Sequence, residues 1–386
     1  MTVVCLGYRA GFARAAERRG LPVHFVVEKE KAALQRHRFT KVSDLGATEE
    51  ILRAVLRDVG DDVSAVVTGH EQALFSVAAL RGVFGTPGDA DLGTAVKFRD
   101  KRLQKASLPP SVQRADCEYL PRTRPRYDEL ADRFGSPLVV KPADGHGSQK
   151  TELVRDQAAL DSYRERYTGV SDVQTVVESF VDGYEIHVDG VWLGGTLMWA
   201  TVSKYLAPLM NWAEGGPVGD CPLGKSMPKL RQAALELTTE VLDGLGAPDT
   251  VFHLEAFVDD MGLLHLGEVA ARMVGALTPE ILQLTFGVDL YEATLDLALG
   301  ATPQSPGTDR DPTDVYGFVY LSRDPRIPLS EESFRARFEL VECDYPEESD
   351  GRIGSYGRWG HAIVKAPTHE QVVQELNAVA RFNRGA

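Results

Sequence analysis

Val251-Phe-His253-Leu-Glu255-Ala-Phe-Val258, Asp259-Asp-Met-Gly262 and Leu263-Leu-His265-Leu-Gly-Glu268-Val-Ala-Ala-Arg272 form the stretch on which the reading of this chain turns. Apolar and polar residues alternate on both sides of a polar turn, which is the pattern of an antiparallel hairpin. If Val258 pairs with Leu263, His253 falls opposite Glu268. Glu255 then lies diagonally from Glu268 on the same face, with Cβ atoms roughly 7–8 Å apart or less. Two carboxylates so placed suit one shared hard cation, and Arg272 suits an anionic group held beside it. A salt-bridged surface hairpin is the alternative, but Leu254, Phe257, Leu264 and Leu266 argue for a central position. His253 and His265 read as structural or substrate-adjacent, not as metal ligands.

Upstream, Leu138-Val-Val-Lys141-Pro-Ala-Asp-Gly145-His146-Gly147-Ser148 runs from an apolar strand through a lysine into a glycine-rich turn. Such a turn lets backbone N–H groups approach phosphate oxygens, and Lys141 can neutralise their charge. GxxxxGK[ST] is absent, so this is no Walker loop. A basic helix is expected over Asp100 to Ala106. Val176 to Asp189 gives two strands, the second placing Glu185, His187 and Asp189 on one face, a pattern that a solvated sheet face explains equally well. Lys204 to Gly216, with Met210, Asn211, Trp212 and Glu214, reads either as a substrate-covering loop or as a packed connector.

Farther out, Val3 to Leu6, Phe12 to Arg19 and Val23 to Val27 open the chain as strand, helix and strand. A helix over Glu49 to Arg57, a strand over Ala65 to Val67 and a helix over Gln72 to Phe84 continue the alternation. A small parallel α/β domain over residues 1 to 95 follows. GxGxxG is not met, which disfavours a dinucleotide-binding dehydrogenase. Helices are expected over Leu230 to Leu242 and Pro279 to Leu284, a loop over Ala301 to Thr313, strands over Tyr316 to Leu321, Arg337 to Val341 and Ala362 to Lys365, and a last helix over Thr368 to Phe382.

The 386 residues are 43% hydrophobic and carry a net charge of −14 without any long basic run, which argues against a nucleic-acid partner held through phosphates. Four cysteines, Cys5, Cys117, Cys221 and Cys343, stand far apart, which disfavours a zinc site and a disulfide framework. No stretch reaches the ~20 apolar residues of a membrane span, and no basic leader opens the chain. Cytoplasmic residence, with no membrane partner, is the expectation.

Taken together, these motifs resemble the ATP-grasp superfamily of carboxylate-amine ligases, in the proper order along almost the whole chain. The resemblance implies an α/β ATP-grasp fold: a pre-domain over 1 to 95, a two-lobed ATP-binding core over 96 to 300 with its lid lobe at about 115 to 190, and a C-terminal subdomain over 301 to 386. It implies phosphate-binding lysines at Lys101 and Lys141 and a mobile phosphate loop at Gly145, His146, Gly147 and Ser148. An adenine-contacting hinge falls at Glu178, Ser179, Phe180 and Val181, and the ribose acid at Glu185. Glu255 and Glu268 resemble the metal-binding glutamates, and Arg272 the arginine that stabilises an acyl phosphate. Many members carry asparagine two residues after the second glutamate, where this chain has Ala270.

Glu268-Val-Ala-Ala-Arg272-Met-Val-Gly275 looks closest to the amino-acid and dipeptide ligase branch. That likeness implies ATP and Mg²⁺ (or Mn²⁺) as cofactors, small-molecule carboxylate and amine substrates, and release of ADP and phosphate, with a homodimer as one assembly open to it. Substrate contacts are expected at Glu71, His253, Trp212, Gly275 and Arg358. The rival readings are a carboxylase or purine-pathway ligase and a nucleotide-binding protein without turnover, for which Ala270 is the best argument.

Overall fold

A computed structural model describes residues 1–30, 32–121, 125–167, 174–304, 312–347 and 358–385. The chain opens with four strands, β1 (Thr2–Leu6), β2 (Val23–Val27), β3 (Arg38–Lys41) and β4 (Val63–Thr68), in a parallel sheet of order β3-β2-β1-β4. Val3 to Leu6 are all at most 1% exposed, as continuous apolar strands covered on both faces by helices should be. This unit is anchored to the rest of the molecule through its first helix, Ala10–Arg18. Phe12 meets Tyr291 edge to face at 5.1 Å, and any Cβ at Gly11 would stand 2.2 Å from the Tyr291 ring. Arg18 and Arg19 reach Asp289, Glu292 and Asp296 on the facing helix Leu290–Ala298.

A second, antiparallel sheet contains β5 (Cys117–Tyr119), β6 (Leu138–Pro142), β7 (Glu152–Val154) and β8 (Thr175–Ser179) in the order β5-β8-β6-β7. Its own small core is built from Leu138, Val140, Val154, Leu160, Tyr163 and Val177.

The third sheet has eight strands: β9 (Tyr184–Leu193), β10 (Thr196–Tyr205), β11 (Gly219–Pro222), β12 (Thr250–Val258), β13 (Leu264–Ala270), β14 (Val315–Leu321), β15 (Glu342–Asp344) and β16 (Gly360–Ala366). Their order is β13-β12-β9-β10-β11-β14-β16-β15. The small sheet therefore ends at Ser179, and β9, expected inside a lid lobe reaching to about 190, belongs to the large sheet. Between them, Gly183 passes so close to Val258 that a Cβ would lie 2.1 Å from its carbonyl oxygen. Helix Pro228–Leu245 covers the sheet, packing Leu237, Val241, Leu242 and Leu245 with Phe98, Trp192 and Phe252.

Two expectations need correction. Arg337 to Val341 is not a strand. The short helix Glu331–Arg335, started by a Ser330 capping box, uses up that stretch in its turn, and pairing begins at Glu342. The hairpin register also shifts. Val258 pairs with Leu264, Phe257 with His265 and Ala256 with Leu266, and beyond an irregularity at Gly267, Glu255 pairs with Glu268 and His253 with Ala270. The turn takes one more residue than expected because the Asp259 side chain accepts N–H bonds from Met261 and Leu263. Gly267 is then the extra residue of a bulge, and its missing Cβ would stand 3.1 Å from the Glu255 carbonyl oxygen.

Other expected elements stand, within a residue or two at each end, except that the helix expected over Leu230 to Leu242 runs on to Leu245. The loop expected over 301 to 313 lies partly outside the described residues. The four cysteines are free thiols, three of them buried. Among the described residues no helix is long and apolar enough to cross a membrane.

Candidate active site

A cavity of about 500 Å³ opens where the three sheets meet. The small sheet supplies Lys141, the turn from Gly145 to Ser148 and Glu178 to Val181. The large sheet supplies Glu185, His253, Glu255, Glu268 and Arg272, and the first unit supplies Arg9 and Glu71. Gly275 and Arg358 line it as well. Most of the residues singled out in the sequence are thus brought to one place by strands far apart in the chain.

Cations gather on the side of the small sheet. Asp100 caps the helix Lys101–Ser107 by accepting the Leu103 N–H at 2.9 Å. Lys101 and Lys105, one turn apart on that helix, point the same way. The Lys101 ammonium donates to the Gly145 carbonyl at 2.7 Å and pairs with Glu268 at 2.9 Å. Lys105 and Lys141 pair with the two oxygens of Glu178, at 2.9 and 2.8 Å. Burial works to raise the Glu178 carboxyl, but the two ammonium groups hold it down at about 2. Burial likewise opposes the charge on Lys141, and Glu178 with Glu268 outweighs it, leaving the lysine cationic.

The Glu178 side chain is therefore an electrostatic anchor for two lysines. Ser179, Phe180 and Val181 carry the chain past the cavity wall, and Glu185 beyond them accepts the Leu209 N–H at 2.8 Å. Burial, and then the nearby Glu255 charge, push the Glu185 carboxyl up to about 8. In the turn, Gly147 and Ser148 take left-handed conformations, with φ of 58° and 53°. The first is natural for glycine and the second is unusual for serine.

On the other side stand the hairpin carboxylates. Directly opposed positions bring the Cβ atoms of Glu255 and Glu268 to roughly 4.5–5.5 Å, nearer than the diagonal expected. Tyr205 donates its hydroxyl to Glu255 at 3.0 Å, and His253 Nε2 lies 3.2 Å from the same oxygen. Burial would raise Glu255, yet the His253 hydrogen bond and charge hold it near 2. Two opposed carboxylates fit a hard divalent ion of the Mg²⁺ type, which keeps several waters and takes few protein oxygens. Ala270 sits opposite His253 and offers no ligand atom.

Behind Glu255 runs a buried polar string. Asp189 accepts from His187 Nδ1 at 2.6 Å and from His253 Nδ1 at 2.8 Å, with His187 and Asp189 at 0% exposure. This trio has the residue types of a zinc site. However, two ligand atoms bonded to one Zn²⁺ at ~2.0–2.1 Å in tetrahedral geometry lie roughly 3.3 Å apart. The contacts here are too short for that, so they are hydrogen bonds. The alternating face noted in the sequence is an interior one.

Arg272, at the end of the hairpin, donates to the Met273 carbonyl at 2.8 Å and to Glu71, which also pairs with Arg99 at 3.1 Å. Burial would raise Glu71, but Arg272, Lys101 and Arg99 keep it near 2. Arg358 stacks over Tyr320 at 4.8 Å, and Arg9 Nη2 would come 3.6 Å from a Cβ on Gly275.

Some expectations differ from what is seen. Trp212 is 38% exposed and does not line the cavity, although its neighbours Leu209 and Met210 do. His253 reaches the cavity with both ring nitrogens already engaged by Asp189 and Glu255. Arg9, Lys105 and Asp220 were not anticipated, and Tyr205, the second residue of the stretch read as a loop or connector, ends β10. Only Lys105 carried a local signal, its four-residue spacing from Lys101.

No family model matches the chain. It is 25% identical over 271 residues to an L-arginine-specific L-amino acid ligase of Bacillus subtilis, a match covering 68% of this chain and 63% of that one. The chain thus spans less than two thirds of that relative. Among solved structures, an L-amino acid ligase from Bacillus licheniformis superposes with a TM-score of 0.75 at 18% identity, over 98% of this chain and 97% of the other. An ATP complex of a carboxyaminoimidazole ribonucleotide synthase from Aspergillus clavatus gives 0.78 at 14% identity, over 100% and 98%. The chain has the ATP-grasp fold.

Proposed function

We propose that the protein joins a carboxylate to an amine, one of them an amino acid, in an ATP-dependent reaction that passes through an acyl phosphate and releases ADP and phosphate. The observation that carries this reading is the gathering of Glu255 and Glu268 with Lys101, Lys141 and Arg272 in one cavity. A carboxylate attacking a terminal phosphate brings anions together, and their repulsion must be offset by positioned cations. Lys141, anchored by Glu178, and Lys101 would meet the phosphates under the Gly145 to Ser148 turn, with Ser179 to Val181 and Glu185 left for the nucleoside. Glu255 and Glu268 would hold Mg²⁺, which when bound supplies further positive charge against the phosphate oxygens. Arg272, fixed by Glu71, would face the acyl phosphate. Closure of the lid would limit loss of that intermediate to water.

A phosphoribosyl amine is the second reading, favoured by Arg9 and Arg358 at the far end of the cavity. A buried acid, Asp220, lines the same cavity and is unsuited to a phosphate dianion, whereas a zwitterion meets both signs of charge. An amino acid is therefore preferred. The setting that follows is a soluble, cytoplasmic enzyme acting on small molecules.

The test is hydroxamate formation. With ATP, Mg²⁺, hydroxylamine and a mixture of the twenty L-amino acids, the protein should release ADP and form amino-acid hydroxamates. ATP turnover with bicarbonate and no hydroxamate would favour the second reading, and no nucleotide turnover under either condition would contradict both.

A further inference from the structure

Asp220, on β11, lines the cavity at 1% exposure and is only half satisfied. Its Oδ2 accepts the Thr278 hydroxyl at 2.6 Å and has His187 Nε2 at 3.7 Å, while its Oδ1 has no hydrogen-bond partner. A buried acceptor without a donor costs about 1–3 kcal/mol, more if charged, and nothing in the packing of β11 requires an acid. The groups around it are known from each packed element. His187 faces it from β9 with Asp189 behind, Tyr205 stands opposite it on β10, His253 acts on it from β12, Thr278 bonds it from the helix Thr278–Phe286, and Tyr320 lies on β14 with Arg358 stacked on that ring. The Asp189 bond to Nδ1 fixes the His187 ring so that its Nε2 turns toward Asp220. The open oxygen is thus free for a donor that arrives with a ligand.

Position within the sheet says which ligand. In the order β12-β9-β10-β11, Asp220 lies three interstrand steps from Glu255, a backbone span of about 14 Å. That leaves room for an activated acyl group over the hairpin and a second molecule beside it. Burial raises the Asp220 carboxyl to about 6, outweighing the opposing pull of His187. An acid of that strength is ionised near neutral pH yet basic enough to accept a proton.

We propose that Asp220 receives the attacking amine: Oδ1 binds the incoming ammonium group and takes the proton it must shed before the free amine can attack the acyl phosphate. The inference rests on the acyl-phosphate reading above. In this step the N–C bond forms and the acyl C–O bond to phosphate breaks, with the electron pair leaving on phosphate. The first proton, from the ammonium, is then on Asp220 Oδ1, and the second, lost by the nitrogen as the amide forms, leaves on the released phosphate. His187 and Asp189 are positioning residues that hold the acid from behind.

The experiment compares two nucleophiles on Asp220→Asn. Hydroxylamine is largely unprotonated at neutral pH and has little need of a base, whereas an amino acid amine is largely protonated. With ATP, Mg²⁺ and the L-amino acid mixture, amide formation should fall at least about 100-fold, within the range for loss of a general base. Hydroxamate formation should fall far less, so their ratio shifts by about 30-fold or more, and higher pH should restore part of the amide rate. Both reactions are read on one sample, so loss of folded protein cancels in the ratio, and Asp220→Ser gives a second variant. An unshifted ratio, or loss of both reactions in both variants, overturns the role of Asp220. A wild-type protein that forms no hydroxamate would overturn the underlying reading instead, and the Asp220 inference with it.

Discussion

The Arg272 guanidinium is bound by the carboxylate of Glu71, which lies 201 residues earlier in the chain and on a different sheet unit. Glu71 also pairs with Arg99, so a single acid fixes two cations at the junction of the first domain and the core. Truncating it leaves two buried guanidinium groups uncompensated. For Glu71→Ala we expect a loss of about 3–5 kcal/mol in stability, the range for breaking a buried pair, and at least a tenfold loss of ATP turnover. Urea unfolding and ADP release measure the two. Unchanged stability would show that the pair is not needed to hold the junction.

Glu178 ties Lys105 to Lys141, and this predicts how the nucleotide subsite responds. Lys141→Ala should weaken ATP binding by an order of magnitude or more, because it removes a cation next to the phosphates. Lys105→Ala should act more weakly, since that residue reaches only Glu178. Titration with a fluorescent ATP analogue separates the two, and equal affinities across wild type and both variants would remove Lys141 from the site.

The register of the hairpin leads to a metal prediction. With Glu255 opposite Glu268, Glu268→Gln should lower Mn²⁺ affinity in the presence of ATP at least tenfold while leaving the thermal melting of the metal-free protein within a few degrees. Electron paramagnetic resonance of free Mn²⁺ reads this without reference to turnover. Undiminished Mn²⁺ binding by the variant would place the ion elsewhere.

Much of this could be read from the sequence, and what could not has identifiable causes. Lys141, Glu255, Glu268 and Arg272 stood out because strand alternation and glycine turns are local patterns. The register missed by one step because a side-chain cap at Asp259 and a bulge at Gly267 both depend on three-dimensional closure. Glu178 read as part of a hinge, since the lysine from the helix Lys101–Ser107 that completes its pairing lies 73 positions away. The face of Glu185, His187 and Asp189 was ambiguous because alternation does not say which side of a strand meets solvent. Asp220 sits in a four-residue strand with no motif at all, and only its open oxygen in the assembled cavity draws attention to it.

His253 gives the pH dependence. Burial lowers its pKa, but the Asp189 charge and hydrogen bond outweigh this and raise it to about 10 from an ordinary 6.5. The folded state therefore holds a proton that the unfolded state releases, so the stabilisation is full below pH 6.5 and is lost as pH rises toward 10. Glu185, raised to about 8, adds the same sign between about pH 4.5 and 8. Unfolding free energy from urea titrations followed from pH 6 to 10 should fall by an amount on the order of a few kcal/mol, and His253→Asn should flatten the upper part of the curve. A profile that rises over that interval would contradict the assignment.

The central claim is that a carboxylate is activated by the terminal phosphate of ATP, and isotope transfer tests it most directly. L-amino acids labelled with ¹⁸O in the carboxylate are supplied with ATP and Mg²⁺, and the products are read by phosphorus NMR. The account predicts ADP together with inorganic phosphate that carries one ¹⁸O from the amino acid. Label appearing in AMP, with pyrophosphate released, would contradict it.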